Sequence, residues 1–261
     1  MIYKFCAQTD PGLTRDNNED AFSFDEGLGV AVLADGMGGY NAGEVASSMA
    51  TSIINSEMSR WLSEAGGSAS VQDIRRALEI CVGNANSAVF RAAGANAHYA
   101  GMGTTLVAGV FRGADLVVGH IGDSRCYRLR RNELVQITKD HSLLQEQIDA
   151  GLLTPEQAAQ SVNKNLVTRA LGVDDTVLLE IHEHTVESDD VYLMCSDGLS
   201  DMVKDEEIAK ILQLPLTLEQ RAKTLVDTAN AHGGRDNITV LLARVEAGSE
   251  KRGLMARLLG K

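Results

Sequence analysis

Val30-Ala31-Val32-Leu33-Ala34-Asp35-Gly36-Met37-Gly38-Gly39 is the stretch on which the fold turns. Five apolar residues follow one another without a polar break and then run into Asp-Gly. A strand with one wet face alternates apolar and polar residues, so an unbroken apolar run reads as a strand covered on both faces. The pattern recurs. Val191-Tyr192-Leu193-Met194-Cys195 runs through Ser196 into Asp197-Gly198, and Leu116 to Ile121 runs into Gly122-Asp123. In the opposite polarity, Asp236-Asn237 precedes Ile238-Thr239-Val240-Leu241-Leu242.

Working outward, strand-like runs occupy 2–9, 22–25, 29–34, 104–111, 115–121, 124–130, 133–137, 176–184, 190–196 and 238–245. Val, Ile, Leu, Phe and Tyr dominate them, and Gly, Asp or Asn bound most of them. Long helical patterns cover 43–62 and 71–94, with shorter ones at 141–150, 155–160, 205–212 and 217–231. The strands come in blocks rather than alternating with helices. That predicts an α+β fold of antiparallel sheets with helices packed outside, not a parallel βαβ fold.

No internal repeat or low-complexity linker divides the chain, so residues 1–247 read as one domain. Two regions stand apart. Residues 141–172 interrupt the strands with polar, helix-prone and loop-prone sequence, open to reading as a mobile insert or as an ordinary helical connection. The basic tail, 248–261, has four Lys/Arg against one Glu, and its Leu254, Leu258 and Leu259 can share a helical face. A docking segment and a frayed terminus are both open there.

The 261 residues include 24 Lys and Arg against 36 Asp and Glu, a formal charge of −12. The tail is net positive, so the rest of the chain carries −15. Such a surface repels nucleic acid and anionic membranes. A hydrophobic fraction of 44% excludes a disordered chain, a coiled coil and collagen. Cys6, Cys81, Cys126 and Cys195 form no CxxC pair and read as small core residues in a reducing compartment. No apolar run approaches the ~18 residues of a membrane span, and Met1 to Asp10 lacks the form of a signal peptide. The expectation is a cytoplasmic protein.

The aspartates at the strand ends admit two explanations. Singly, each Asp-Gly is a turn dipeptide. Collectively they are carboxylates at the ends of buried strands, costly unless paired or metal-bound. Little Lys or Arg stands beside them: Arg125 follows Asp123, and Arg235 precedes Asp236. Converging carboxylates without His or Cys suit Mg²⁺ or Mn²⁺ rather than Zn²⁺. Arg15-Asp16-Asn17-Asn18-Glu19-Asp20 adds two acids, Glu19 and Asp20, close to an arginine whose planar fork grips phosphate bidentately; a surface salt-bridge cluster is the plainer reading. The 1-3-5 spacing of Asp16, Asn18 and Asp20 suggests an EF-hand but fails, because Ala21 stands where Gly is needed and Gly27 where Glu is needed. Gly38 and Gly43 have P-loop spacing, yet Glu44-Val45 follows. There is no HExxH, and His182 and His184 merely alternate along a strand, which argues against a zinc hydrolase.

Seven segments together carry a resemblance. Thr9-Asp10-x-Gly12-x-x-Arg15-x-x-Asn18-Glu19-Asp20, Val32 to Gly39, Gly103-Thr104-Thr105, and Gly119-His120-Ile121-Gly122-Asp123-Ser124-Arg125 occur in that order. Thr138-x-Asp140-His141-Ser142, Ser196-Asp197-Gly198-Leu199 and Asp236-Asn237-Ile238-Thr239 follow. In type and order they resemble the motifs of the PP2C (PPM) family of metal-dependent Ser/Thr protein phosphatases, bacterial type, over residues 1–245.

The resemblance implies a central antiparallel β-sandwich flanked by helices on both faces, with a two-metal site at one end holding Mn²⁺ or Mg²⁺. It implies that Asp35 bridges the metals, that Asp197 and Asp236 complete the first, and that the Gly36 carbonyl binds the second. Glu19 and Asp20 would act through metal-bound water, Arg15 would hold the substrate phosphate, and Asp123 would help form a third, weaker metal site. The 141–172 insert matches the family's variable flap. Many eukaryotic members carry His directly after the bridging Asp-Gly; here Met37 stands there. The implied reaction is hydrolysis of phosphoserine and phosphothreonine in proteins by a hydroxide between two metals, reversing a Ser/Thr kinase. The implied partners are phosphorylated proteins and a cognate kinase, for a chain that is a monomer and binds no nucleic acid. Two other classes compete: a silent phosphopeptide-binding module, against which the complete carboxylate set counts, and a metal-dependent nuclease, against which the charge counts.

Overall fold

A computed structural model describes residues 1–39, 42–154, 157–158 and 166–247. Its strands are β1 (Ile2–Asp10), β2 (Asp20–Asp25), β3 (Val30–Met37), β4 (Gly103–Thr104), β5 (Leu106–Arg112), β6 (Asp115–Ile121), β7 (Arg125–Arg130), β8 (Glu133–Gln136), β9 (Glu180–Thr185), β10 (Val191–Cys195) and β11 (Ile238–Glu246). The helices are α1 (Ala42–Ala65), α2 (Val71–Ala95), α3 (Leu143–Asp149), α4 (Asp197–Ser200), α5 (Asp205–Gln213) and α6 (Leu218–Ala231). Every strand pair is antiparallel. One sheet runs β1-β11-β10-β7-β8; the other runs β2-β3-β5-β6-β9, with β4 beside β3.

The unbroken apolar strands make sense because the sheets have two dry faces. Ala31 and Leu33 of β3 point between the sheets, where they meet Phe5, Phe111, Val118, Tyr192, Met194 and Leu241. Val30 and Val32, one residue out of phase, face outward into a layer built with Ile54, Met58 and Leu62 of α1 and Leu78, Val82 and Val89 of α2. The other sheet repeats the arrangement: Leu193, Cys195, Val240 and Leu242 pack against Ile208 of α5 and Leu225 and Val226 of α6. The result is an α-β-β-α sandwich of antiparallel sheets, as the sequence and its resemblance predict.

Local signals set the helix ends. Ser70 and Thr217 form capping boxes with Asp73 and Gln220, satisfying the first amides of α2 and α6. The differences from the sequence reading are local. β9 starts at Glu180 rather than 176, and Asp197-Gly198 opens the short α4 instead of a turn. The expected helix at 155–160 and the tail 248–261 fall largely or wholly outside the described residues.

At the opposite end of β10 from Asp197, buried charge is paired. Asp190 is 1% exposed, and Arg130 grips it through Nε and Nη2 at 2.8 and 2.7 Å. Its Oδ2 also accepts from the Glu187 amide at 2.8 Å. Removing one member of such a pair strands the other's charge and costs about 3 kcal/mol or more. Asp190→Ala is expected to lower stability by about that amount, measured by urea unfolding, with the slope of the transition unchanged.

Candidate active site

Each aspartate of the sequence pattern sits where a strand leaves the sandwich. Asp20 begins β2 and is the cross-strand neighbour of Asp35 near the end of β3. Asp123 follows β6, Asp197 follows β10, and Asp236 precedes β11. Antiparallel pairing of β10 with β11 brings the end of one beside the start of the other, with Cys195 opposite Val240.

Uncharged donors and acceptors hold this backbone. Thr104 Oγ1 donates to the Asp35 carbonyl at 2.8 Å, and the Thr105 amide donates to the same oxygen at 2.8 Å. The Asp35 amide donates to Thr105 Oγ1 at 2.9 Å, and that hydroxyl shares a hydrogen bond with Ser124 Oγ at 2.7 Å. Gly103-Thr104-Thr105 and Asp123-Ser124 thus form one clasp around Asp35. Ser196 Oγ donates to Asp20 Oδ2 at 2.7 Å and accepts from the Thr239 amide at 3.0 Å. Asn237 ties down the loop before β2: its Oδ1 accepts from the Glu19 amide at 2.7 Å, and its Nδ2 donates to the carbonyls of Pro11 and Asn17 at 3.0 and 2.8 Å.

Close backbone approach brings these ends together. Gly198 opens α4 against β11, and a Cβ there would collide with the Asn237 carbonyl. The Gly36 amide donates to the Glu19 carbonyl at 3.1 Å, and a Cβ on Gly36 would strike both that oxygen and the Gly43 backbone of α1. Glycine is required at both positions by space.

The carboxylates act on one another. Burial first, and then the charges of Asp20, Asp123 and Asp236, push the Asp35 carboxyl well above the ordinary range. Burial and the charges of Asp35, Asp123, Asp201 and Asp236 do the same to Asp197. Burial raises Asp20 to about 7, against hydrogen bonds from Thr239 and Ser196 that pull it back. Asp123 is raised to about 6 by burial and the charge of Asp140. Asp20 Oδ1 is buried without a hydrogen-bond partner. Buried oxygens that repel one another are a donor set for hard divalent cations, so the residues fit Mn²⁺ or Mg²⁺.

Asp20, Asp35, Asp123, Asp197 and Asp236 therefore converge. Glu19 contributes its backbone to the loop, while its carboxylate accepts from Asn17 Nδ2 at 3.2 Å and its charge acts on Arg15. Arg15 is exposed, and its Nη2 donates to Asp236 Oδ2 at 2.6 Å, so the residues expected to hold phosphate and metal are ion-paired. Arg125 turns away from Asp123 to hold Asp140 through Nε at 3.0 Å and Nη2 at 2.7 Å. The sequence reading overlooked Asp201, whose charge raises both Asp123 and Asp197. The signal for it was the i, i+4 spacing from Asp197 across α4.

The protein phosphatase 2C family model matches residues 14–242. The serine/threonine phosphatase stp of Listeria monocytogenes is 37% identical over 238 residues, 90% of this chain and 93% of that protein. The crystal structure of the serine/threonine phosphatase Stp1 from Staphylococcus aureus superposes with a TM-score of 0.86 at 34% identity, covering 95% of this chain and 96% of that one. The catalytic domain of the serine/threonine protein phosphatase PstP, in complex with two manganese ions, superposes with a TM-score of 0.82 at 38% identity, covering 94% of this chain and 99% of that one.

The raised carboxylates carry a stability signature. A group whose pKa is higher in the folded than in the unfolded chain holds its proton better when folded, so stability is lost as pH rises through the folded pKa. Asp20 and Asp123 set the window, from 3.8 up to about 6 to 7. With EDTA present, the melting temperature is expected to fall as pH rises across the upper part of that window. Millimolar Mn²⁺ is expected to flatten the fall by binding the ionised form. A melting temperature indifferent to both would show that the carboxylates do not strain one another.

Proposed function

The chain belongs to the protein phosphatase 2C family, and from that premise we propose that it hydrolyses phosphoserine and phosphothreonine in proteins with two Mn²⁺ or Mg²⁺ ions, reversing a Ser/Thr kinase. The observation that carries the proposal is the convergence of Asp20, Asp35, Asp123, Asp197 and Asp236 at strand ends on one side of the sandwich, where Asp20, Asp35 and Asp197 are raised by burial and by the charges of neighbouring aspartates.

In this reading Asp35 would ligate both cations, Asp197 and Asp236 would complete the first, and the Gly36 carbonyl would bind the second. Glu19 and Asp20 would act through metal-bound water, and Asp123 would help hold a third, weaker cation. When bound, the cations supply Lewis acidity that lowers the pKa of water and neutralises phosphoryl oxygens. The protein's own part is positioning. The Thr104–Thr105–Ser124 clasp fixes Asp35 through its backbone and leaves the carboxylate free to ligate. The guanidinium of Arg15 stands at the rim beside Asp236, on a long stem, and a phosphate dianion brings a second claim on its fork. No side chain need form a covalent bond to phosphorus, which agrees with the lack of an activated serine or cysteine among the converging residues. Residues 1–247 form the phosphatase domain, with 141–172 as its flap, and the substrates are proteins phosphorylated by a cognate kinase.

The test is hydrolysis of a phosphothreonine peptide. EDTA is expected to abolish it and Mn²⁺ to restore it; full activity in excess chelator would sink the metal-dependent reading. Asp35→Asn is expected to be the most damaging ligand change, because its carboxylate serves both cations, and unchanged turnover would retire that role. A residue that grips phosphate equally in ground and transition states acts mainly through KM. Arg15→Ala is accordingly expected to raise KM more than it lowers kcat, and steady-state kinetics showing a loss confined to kcat would assign Arg15 to the transition state alone.

A further inference from the structure

Beside the carboxylates lies a histidine cluster to which the proposed reaction gives no role. The register of β6 and β9 places His120 opposite Glu180 and Val118 opposite His182. Residues that pair across two strands share a face. Leu116 and Val118 point between the sheets, whereas Ile181 packs on the helix side, so His120, Glu180, His182 and His184 all point into the sandwich at its β9 edge. His141, just past β8, closes over them. Its ring stacks on His120 at 4.7 Å with 17° between planes, and His182 stacks on His120 at 6.0 Å with 23° between planes.

One ligand atom from each of His120, His141 and Glu180 lies within 4.8 Å of the others. A shared metal ion is nonetheless a poor fit. Imidazole lone pairs lie in the ring plane, and two nearly parallel stacked rings cannot both aim them at one ion about 2 Å from each nitrogen.

Hydrogen bonds account for the arrangement instead. The Gly122 amide donates to His141 Nδ1 at 3.1 Å, and the His141 amide returns a bond to the Gly122 carbonyl at 2.9 Å. Nδ1 can accept only if it carries no proton. His141 Nε2 lies 3.1 Å from Glu180 Oε2, and an ionised carboxylate can only accept, so the ring proton belongs on Nε2. Glu180 Oε1 holds His182 Nε2 at 2.9 Å in the same way. Burial works against ionisation of Glu180, yet the bonds from His141 and His182 hold its pKa down at about 2. Arg169 Nη1 also lies 3.4 Å from His141 Nε2; a guanidinium can only donate, so it competes for that nitrogen, and the nearer acceptor, Glu180 Oε2 at 3.1 Å, favours the proton on Nε2. His120 faces the Lys139 carbonyl through Nε2 at 2.7 Å, burial lowers its pKa, and its ring stacks with both other imidazoles.

We propose that Glu180 and His141 are a positioning pair for Asp123: the carboxylate fixes the His141 proton on Nε2, and bare Nδ1 then holds the Gly122 amide and so aims the turn that carries Asp123. The turn needs such a hold. Gly122 has φ +96°, a conformation that side chains rarely adopt, and its amide is buried. His141 also accepts from the Thr168 amide at 2.8 Å, so the pair joins the Asp123 turn to the returning end of the 141–172 segment. The catalytic consequence rests on the proposed phosphatase reading; the proton position and the turn do not.

The experiment reads them separately. Long-range ¹H–¹⁵N NMR on the intact protein is expected to show neutral His141 protonated at Nε2, with the Gly122 amide protected from exchange. Glu180→Ala is expected to scramble the tautomer, speed Gly122 exchange, and lower kcat for a phosphothreonine peptide about tenfold with KM little changed. In His141→Asn an amide oxygen can take the place of Nδ1, so Gly122 protection and kcat are expected to stay near wild type; His141→Gln, whose amide reaches only the Nε2 position, should lose both. Equal behaviour of the Asn and Gln variants, or unchanged tautomer and Gly122 exchange in Glu180→Ala, overturns the proposal. If both His141 variants unfold, the Glu180→Ala spectra alone decide it. A wild-type protein without phosphatase activity would refute the functional premise and leave the tautomer and exchange data to judge the pair.

Discussion

The structure depends on one electrostatic constraint: several carboxylates, buried or half-buried, crowd one end of a sandwich with too few protein cations to neutralise them. The donors that hold this end together are uncharged. Thr104, Thr105 and Ser124 grip the Asp35 backbone, Ser196 serves Asp20, and Asn237 ties the loop before β2. Neutral donors fix position without cancelling charge. The interior arginines are committed elsewhere, Arg125 to Asp140 and Arg130 to Asp190. Arg15 reaches the cluster's rim, where it is exposed, and Arg125 acts on Asp123 only through its charge while holding Asp140. The excess negative charge therefore persists, and repulsion among fixed oxygens is relieved best by small, hard cations.

Rigidity behind the cluster comes from three apolar layers. The ends of β3, β6, β10 and β11 cannot move independently, because each strand is packed on one side against the opposite sheet and on the other against helices. Close-packed layers resist small displacements, so repulsion at the strand ends shows as raised pKa values rather than as splaying. Bidentate ion pairs such as Arg130–Asp190 are found along the same sandwich, so the crowding of carboxylates is particular to the site end.

Much of this was legible from residues alone. Val30 to Ala34 declared a strand with two dry faces, and Asp35, Asp123, Asp197 and Asp236 marked the strand ends. What could not be read was anything that acts across the chain. Thr105 holds Asp35 from 70 residues away, and Asn237 holds Glu19 from 218 away; no local pattern records either bond. α4 escaped notice because Asp-Gly has a stronger turn signature than a four-residue helix can offer. His182 and His184 read only as alternating along a strand. Register with the inward Val118 puts them on the inner face at the half-exposed β9 edge, and only the pairing with β6 reveals it.

The pairing of β1 with β11 has a consequence for biosynthesis. These strands, which open and close the described sandwich, match residue for residue from Ile2 with Glu246 to Asp10 with Ile238, and β11 is also the neighbour of β10. A nascent chain emerging from the ribosome can complete the β2-β3-β5-β6-β9 sheet before β11 has been made, but β1 then has no partner and the Asn237 knot does not exist. Closure of the sheet and assembly of the carboxylate end coincide with delivery of the same strand. Loops this long close slowly relative to local contacts. A half-translated chain therefore presents scattered aspartates to the cell, and the ion-hungry end comes into being only when synthesis has passed β11.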